Sequence, residues 1–99
     1  MGVAVLCFDQ EGCMGCVEQS PINRQVEKAL HIQIQEIDAV KNPRFVTRYH
    51  LRATPTIIIL RNGEEKRRFE GLVHREELEA ALREYLDQEQ DMNLCISGK

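Results

Sequence analysis

The stretch Val3-Ala4-Val5-Leu6-Cys7-Phe8-Asp9-Gln10-Glu11-Gly12-Cys13-Met14-Gly15-Cys16 decides the reading of this chain. Its first six residues are a continuous apolar run, the pattern of a buried strand covered on both faces. Asp9 to Gly12 is a polar loop. From Cys13 to Leu30 the pattern turns helical, with Val17, Ile22, Val26 and Leu30 on one face. Pro21 falls inside that helix and removes one backbone hydrogen bond, so a kink is expected there. Two cysteines with two residues between them at a strand-to-helix turn sit at a helix N-terminus. There the helix dipole and the unpaired backbone N–H groups favour a thiolate over a thiol. A thiolate beside a second thiol is the minimum equipment for making and breaking disulfides.

Working outward, Ile32-Gln33-Ile34-Gln35-Glu36-Ile37 alternates like a strand with one solvated face, which suits a sheet edge. Asn42-Pro43 reads as an N-cap followed by proline at the first helical position, opening a short helix that turns Phe45, Val46 and Tyr49 inward. Thr56 to Leu60 is the most apolar β-branched run and predicts a central strand. Asn62-Gly63 signals a two-residue hairpin into Glu65–Glu70, whose Lys66, Arg67 and Arg68 suit an exposed edge. After Gly71, an amphipathic helix is expected from His74 to Leu86 through Leu78, Leu82, Tyr85 and Leu86; Glu76 and Glu77 suit its dipole. The order β-α-β-α-β-β-α predicts an α/β protein: one four-stranded mixed sheet with helices on both faces. The expected division is a domain over residues 1–87 and a polar tail over 88–99.

With 99 residues the chain fits one small domain and one core. A net charge of −3 and few aromatics argue against nucleic acid as the main partner. No segment approaches the roughly 20 apolar residues of a membrane span. The start lacks the features of a signal peptide, and Leu6 stands where a myristoylation signal wants Ser or Thr. A cytoplasmic protein is the expectation, and in that reducing compartment a cysteine pair is more often catalytic or metal-binding than structural. The spacing of Cys7, Cys13, Cys16 and Cys95 fits no zinc or iron–sulfur framework, and His31, His50 and His74 lack metal-ligand spacing, so neither metal nor cofactor is expected.

The chain resembles the thioredoxin family over roughly residues 3–86. The resemblance rests on the first strand, Cys13-Met14-Gly15-Cys16, Pro21, Ile37-Asp38, Ala53-Thr54-Pro55-Thr56, Asn62-Gly63 and Gly71. It implies the thioredoxin fold in its short, glutaredoxin-sized form, with the Ile32–Ile37 strand at an edge. It also implies a cis Pro55 facing the cysteine pair, with backbone beside it binding an extended substrate. There are departures from the family pattern. Gly12 replaces a tryptophan, Met14-Gly15 replaces Gly-Pro, Cys7 stands where the family has a buried acid, and Ile34 where it has a lysine.

On this reading Cys13, at the exposed helix tip, is the nucleophile and Cys16 the resolving thiol, the two cycling through a redox-active disulfide. Gly12, Met14, Gly15, Thr54, Pro55 and Gly71 form the substrate-binding surround. Gly15 loosens the turn that proline would stiffen, and Met14 offers either a soft apolar contact or nothing. Cys7 reads as a small buried hydrophobe and Cys95 as an incidental thiol. Asp9 and Glu11 read as solvated carboxylates, or as a proton relay to Cys16. Function is then reduction of protein disulfides, with an upstream reductase or thiol donor as second partner. A monomer is expected, with an edge-strand dimer as alternative. Two further readings stay open. A redox-inactive adaptor using the Thr54-Pro55 groove predicts binding that survives Cys13→Ser; a metal or cluster shared across a dimer predicts bound metal.

Overall fold

A computed structural model describes the backbone of residues 2–98 and the side chains of residues 2–86. The elements run β1 (Val3–Asp9), α1 (Met14–Leu30), β2 (Ile34–Asp38), α2 (Pro43–Tyr49), β3 (Thr56–Arg61), β4 (Glu64–Glu70) and α3 (Arg75–Gly98). The sheet order is β2-β1-β3-β4. β1 pairs parallel with β2, and β3 pairs antiparallel with both β1 and β4. The expected four-stranded mixed sheet, with β2 at an edge and β3 central, is the one observed.

Strand alternation divides the core in two. Val5 and Cys7 of β1 and Ile57 and Ile59 of β3 face one way, onto Val26 of α1 and Leu78, Ala81 and Leu82 of α3. Leu6, Phe8, Ile58 and Leu60 face the other way, onto Phe45 and Tyr49 of α2. The rings of Phe45 and Tyr49 lie 5.8 and 5.7 Å from that of Phe8. Both faces of β1 and β3 are therefore covered, as their unbroken apolar runs require.

The turns follow the sequence signals. Asn62 and Gly63 both take positive φ, 54° and 83°, as a tight primed hairpin turn demands. His31 and His50 occupy left-handed C-cap positions of α1 and α2, the helix-end role expected of them.

Several expectations need correction. Val17 is 68% exposed and Val46 38% exposed, so neither belongs to the core. The inward face of α1 carries the fully buried Gln19, Asn23 and Val26, with Ile22 and Leu30 packed against the same cluster. Polar burial on that face is invisible to an apolar-periodicity argument. Asn42 precedes α2 but its side chain does not cap it; its amide donates to the Asp38 carbonyl. β2 starts at Ile34 rather than Ile32, and α3 runs from Arg75 past Leu86 to Gly98. The side chains of the expected polar tail, Cys95 among them, lie outside the described residues.

Candidate active site

Cys13 is the N-cap of α1, with extended φ −89° and ψ 108°, and its Sγ accepts the backbone N–H of Cys16 at 3.1 Å. A sulfur thus occupies the place usually held by a Ser or Asp oxygen, satisfying one of the orphan N–H groups of the helix start. Cys13 and Cys16 are joined as a disulfide, their Cα atoms 5.2 Å apart. Both are half-buried, whereas Met14 between them is 78% exposed. Gly12, which brings the chain into the cap, has φ 80°, a conformation that disfavours the family's tryptophan there.

The Thr54-Pro55 bond is cis. Pro55 approaches the cysteine turn so closely that a Cβ on Gly15 would lie 3.0 Å from the proline Cδ. The Pro55 carbonyl in turn accepts the Gly71 N–H at 2.7 Å. Sequence positions 15, 55 and 71, far apart in the chain, are therefore adjacent. Beside Thr54 lies a groove of about 190 Å³ lined by Gln10, Ala39, Val46, Leu51, Arg52, Ala53 and Thr54.

A buried polar stripe runs along α1 behind Cys16, at Gln19 and Asn23. Gln19 closes a two-bond ring with the backbone of Val73: its Oε1 accepts the Val73 N–H at 2.9 Å and its Nε2 donates to the Val73 carbonyl at 3.1 Å. The same Nε2 donates to Asn23 Oδ1 at 3.1 Å, and Asn23 Nδ2 donates to Glu36 on β2 at 3.1 Å. Among the described residues, no buried side-chain nitrogen or oxygen lacks a partner. The Gln19 clamp fixes α1 to the loop that carries Gly71 to Val73, and so ties the cysteine helix to the proline turn. Sequence reading missed it. Its signal is Gln19 and Asn23 at i+3 and i+7 from Cys16, on the face expected to be apolar.

Electrostatics around the site are uneven. Burial pushes the Cys7 thiol up to about 11, with hydrogen bonding to Asn23 opposing and the nearby Glu36 and Asp9 charges adding to the rise. Cys7 is therefore a neutral thiol in the core. Asp9, at the end of β1, has its carboxyl held above the ordinary value by burial and then by Glu36 and Asp38. It is half-buried rather than a freely solvated loop carboxylate. No group of His, Cys, Asp and Glu among the described residues could hold a metal ion.

Comparison with known proteins agrees with this geometry. The family model described as Thioredoxin matches residues 2–84. A thioredoxin-like protein of Synechocystis is 36% identical over 62 residues, covering 61% of this chain and 59% of that protein. Thioredoxin Y of rice chloroplasts is 39% identical over 61 residues, covering 60% of this chain and 36% of its own length. The chain thus spans less than two thirds of these relatives. Among solved structures, thioredoxin-2 of a malaria parasite superposes with a TM-score of 0.80 at 27% identity, covering 84% of this chain and 82% of that one. A thioredoxin from Halobacterium salinarum gives 0.79 at 22% identity over 84% of this chain and 74% of its own.

Proposed function

The chain belongs to the thioredoxin family, and from that premise we propose that it is a small thiol–disulfide oxidoreductase that reduces protein disulfides through Cys13 and Cys16. The observation that carries this reading is the position of Cys13. Its sulfur caps a 17-residue helix, accepts a backbone N–H, and is bonded to Cys16 in the first turn of that helix. A developing negative charge on Cys13 Sγ is favoured there by the helix dipole and that N–H.

The exchange runs in two steps. Cys13 thiolate attacks one sulfur of the target disulfide; a Cys13–target bond forms, the target S–S bond breaks, and one target thiolate leaves. Cys16 then gives up its proton and attacks Cys13 Sγ, breaking the mixed disulfide and releasing the second target thiolate. Two electrons have passed to the target, and Cys13 and Cys16 are left as a disulfide. An upstream dithiol or reductase supplies the two electrons and protons that restore the pair.

Thr54, Pro55 and Gly71 line the approach to the cysteines and offer backbone to an extended target segment, with Gly12, Met14 and Gly15 completing the rim. No helix among the described residues is long and apolar enough to cross a membrane. A reducing compartment such as the cytoplasm is where such a reductant would be recharged.

The test is equilibration in defined dithiol buffers, with Cys13 and Cys16 followed by alkylation and mass spectrometry. A single two-electron transition near −270 mV is expected of a thioredoxin-like reductant, whereas about −120 mV marks an oxidant. With Cys16→Ser, a target disulfide should remain trapped on Cys13. If no Cys13–Cys16 disulfide forms at any potential, the reading fails.

A further inference from the structure

Residues 39–63 contain Lys41, Arg44, Arg48, Arg52 and Arg61 and not one Asp or Glu; the whole chain is −3, so this stretch carries +5 and the remainder −8. Four of these cations, at 41, 44, 48 and 52, recur at the three- and four-residue spacing that places side chains in one row along a helix and its flanking turns. The Arg44 and Arg48 guanidinium groups lie over the rings of Phe45 and Tyr49, 5.0 and 5.4 Å from the centroids. Among the described residues, no ion pair involves Lys41, Arg44 or Arg48. Arg52 reaches Glu70 at 2.8 Å yet keeps most of its side chain in solvent.

One end of this row meets the groove beside Thr54. Its first member follows Val40, a valine 67% exposed, in a turn anchored to β1 by the Ala39 N–H bonding the Asp9 carbonyl at 2.8 Å. Its last member, Arg52, lines the groove with Val46, Leu51 and Thr54, next to Pro55. An apolar strip flanked by solvent-exposed cations, of which only Arg52 has an ion pair among the described residues, fits a partner with matching carboxylates. Cations left in solvent along the groove, in a chain that is negative elsewhere, steer a partner of opposite charge towards it.

Resting on the oxidoreductase reading above, we propose that the α2 face is a docking surface for acidic polypeptide segments: the preferred targets carry Asp and Glu beside their disulfide. The apolar groove takes the side chains near the target cysteine, and the row at 41, 44, 48 and 52 takes the flanking carboxylates. Such complementarity acts on encounter and specificity more than on the chemical step.

The test uses the oxidised protein and fluorescent peptides in which Ser replaces the target Cys, one flanked by Asp and Glu and its match flanked by Asn and Gln. Binding is read by anisotropy at about 50 mM salt. The acidic peptide should bind about tenfold more tightly than the neutral one, and the margin should shrink as salt rises past roughly 500 mM. The triple variant Lys41→Gln, Arg44→Gln, Arg48→Gln should lose most of it, while Lys28→Gln with Arg83→Gln should not. Circular dichroism checks that the variants fold. Equal binding of the two peptides, or a margin unchanged in the triple variant, overturns the docking surface. Turnover of a small uncharged disulfide is measured in parallel. Normal turnover with no peptide preference defeats the docking surface alone. Absent turnover defeats the oxidoreductase reading, while the anisotropy still decides the surface.

Discussion

Replacing Gln19 by leucine is the sharpest test of how the site is held together. The side chain is fully buried and makes three hydrogen bonds, two to the Val73 backbone and one to Asn23. Leucine matches it in bulk and satisfies none of them. It strands the N–H and the carbonyl of Val73, itself a buried residue, at about 1–3 kcal/mol for each unsatisfied group. Asn23 Oδ1 also loses its donor. The apolar gain of burying leucine offsets part of this, leaving a net loss of about 3 kcal/mol against a total stability of about 5–15 kcal/mol. Urea unfolding of the oxidised protein should show the midpoint falling by roughly 2 M with the slope unchanged. Val17→Ala, on the exposed face of the same helix, should stay within about 0.5 kcal/mol. Hydrogen exchange at the Val73 amide should accelerate in the leucine variant, since its acceptor is gone. A loss below about 1 kcal/mol with Val73 still protected would refute the clamp.

Other perturbations separate chemistry from packing. Gly15→Ala puts a Cβ 3.0 Å from Pro55 Cδ while gaining helix propensity worth about 1 kcal/mol, so stability should barely change. Turnover of a protein disulfide, which must pass beside Pro55, should still fall severalfold relative to a small disulfide; equal effects on both would count against that path. The Cys7 thiol titrates near 11 in the fold against 9.0 ordinarily. The folded state therefore binds this proton more tightly, and stability present below pH 9 is lost as pH rises towards 11. The loss should be about 2–3 kcal/mol, and Cys7→Ala should flatten it in urea titrations across that window. Asp9, raised by burial and by Glu36 and Asp38, bears a charge the fold disfavours. Asp9→Asn should therefore stabilise the protein slightly at pH 7, a gain limited by solvent screening that should vanish on acidification through the carboxylate range, as urea titrations at the two pH values would show.

The legible parts of this molecule were those fixed by local pattern. Unbroken apolar runs marked β1 and β3, Asn62-Gly63 marked the hairpin, and Cys13 and Cys16 marked the helix start. The apposition of residues 15, 55 and 71 was legible only through family resemblance, because no local rule brings positions forty residues apart together. What stayed hidden was polar burial. A helix whose inward face mixes buried Gln19 and Asn23 with Ile22, Val26 and Leu30 offers no clean hydrophobic stripe, so apolar periodicity turns Val17 inward although it faces solvent. Val46 faces outward for a different reason. On a seven-residue helix Phe45 and Tyr49 suffice to cover Phe8, which leaves the third apolar residue at the groove.

The departures at Cys7 and Ile34 make sense together. In the family pattern a carboxyl at the first position faces a lysine at the second, and losing one alone would leave a buried charge unpaired. Here both positions are neutral. Ile34 packs into the apolar cluster, and Cys7 keeps its proton and meets the Asn23 amide. Cys7→Asp restores the acid without its partner, in a pocket already close to Glu36 and Asp9. It should cost about 3–5 kcal/mol at pH 7, or hold the new carboxyl protonated there at a smaller cost. Adding Ile34→Lys should recover part of that loss, and a thermodynamic cycle from urea unfolding of the three variants measures the coupling. If Cys7→Asp alone is tolerated with an ordinary carboxylate titration, the interior beneath the cysteine helix is wetter than its burial implies. The neutral pair would then owe nothing to the cost of an unpaired charge.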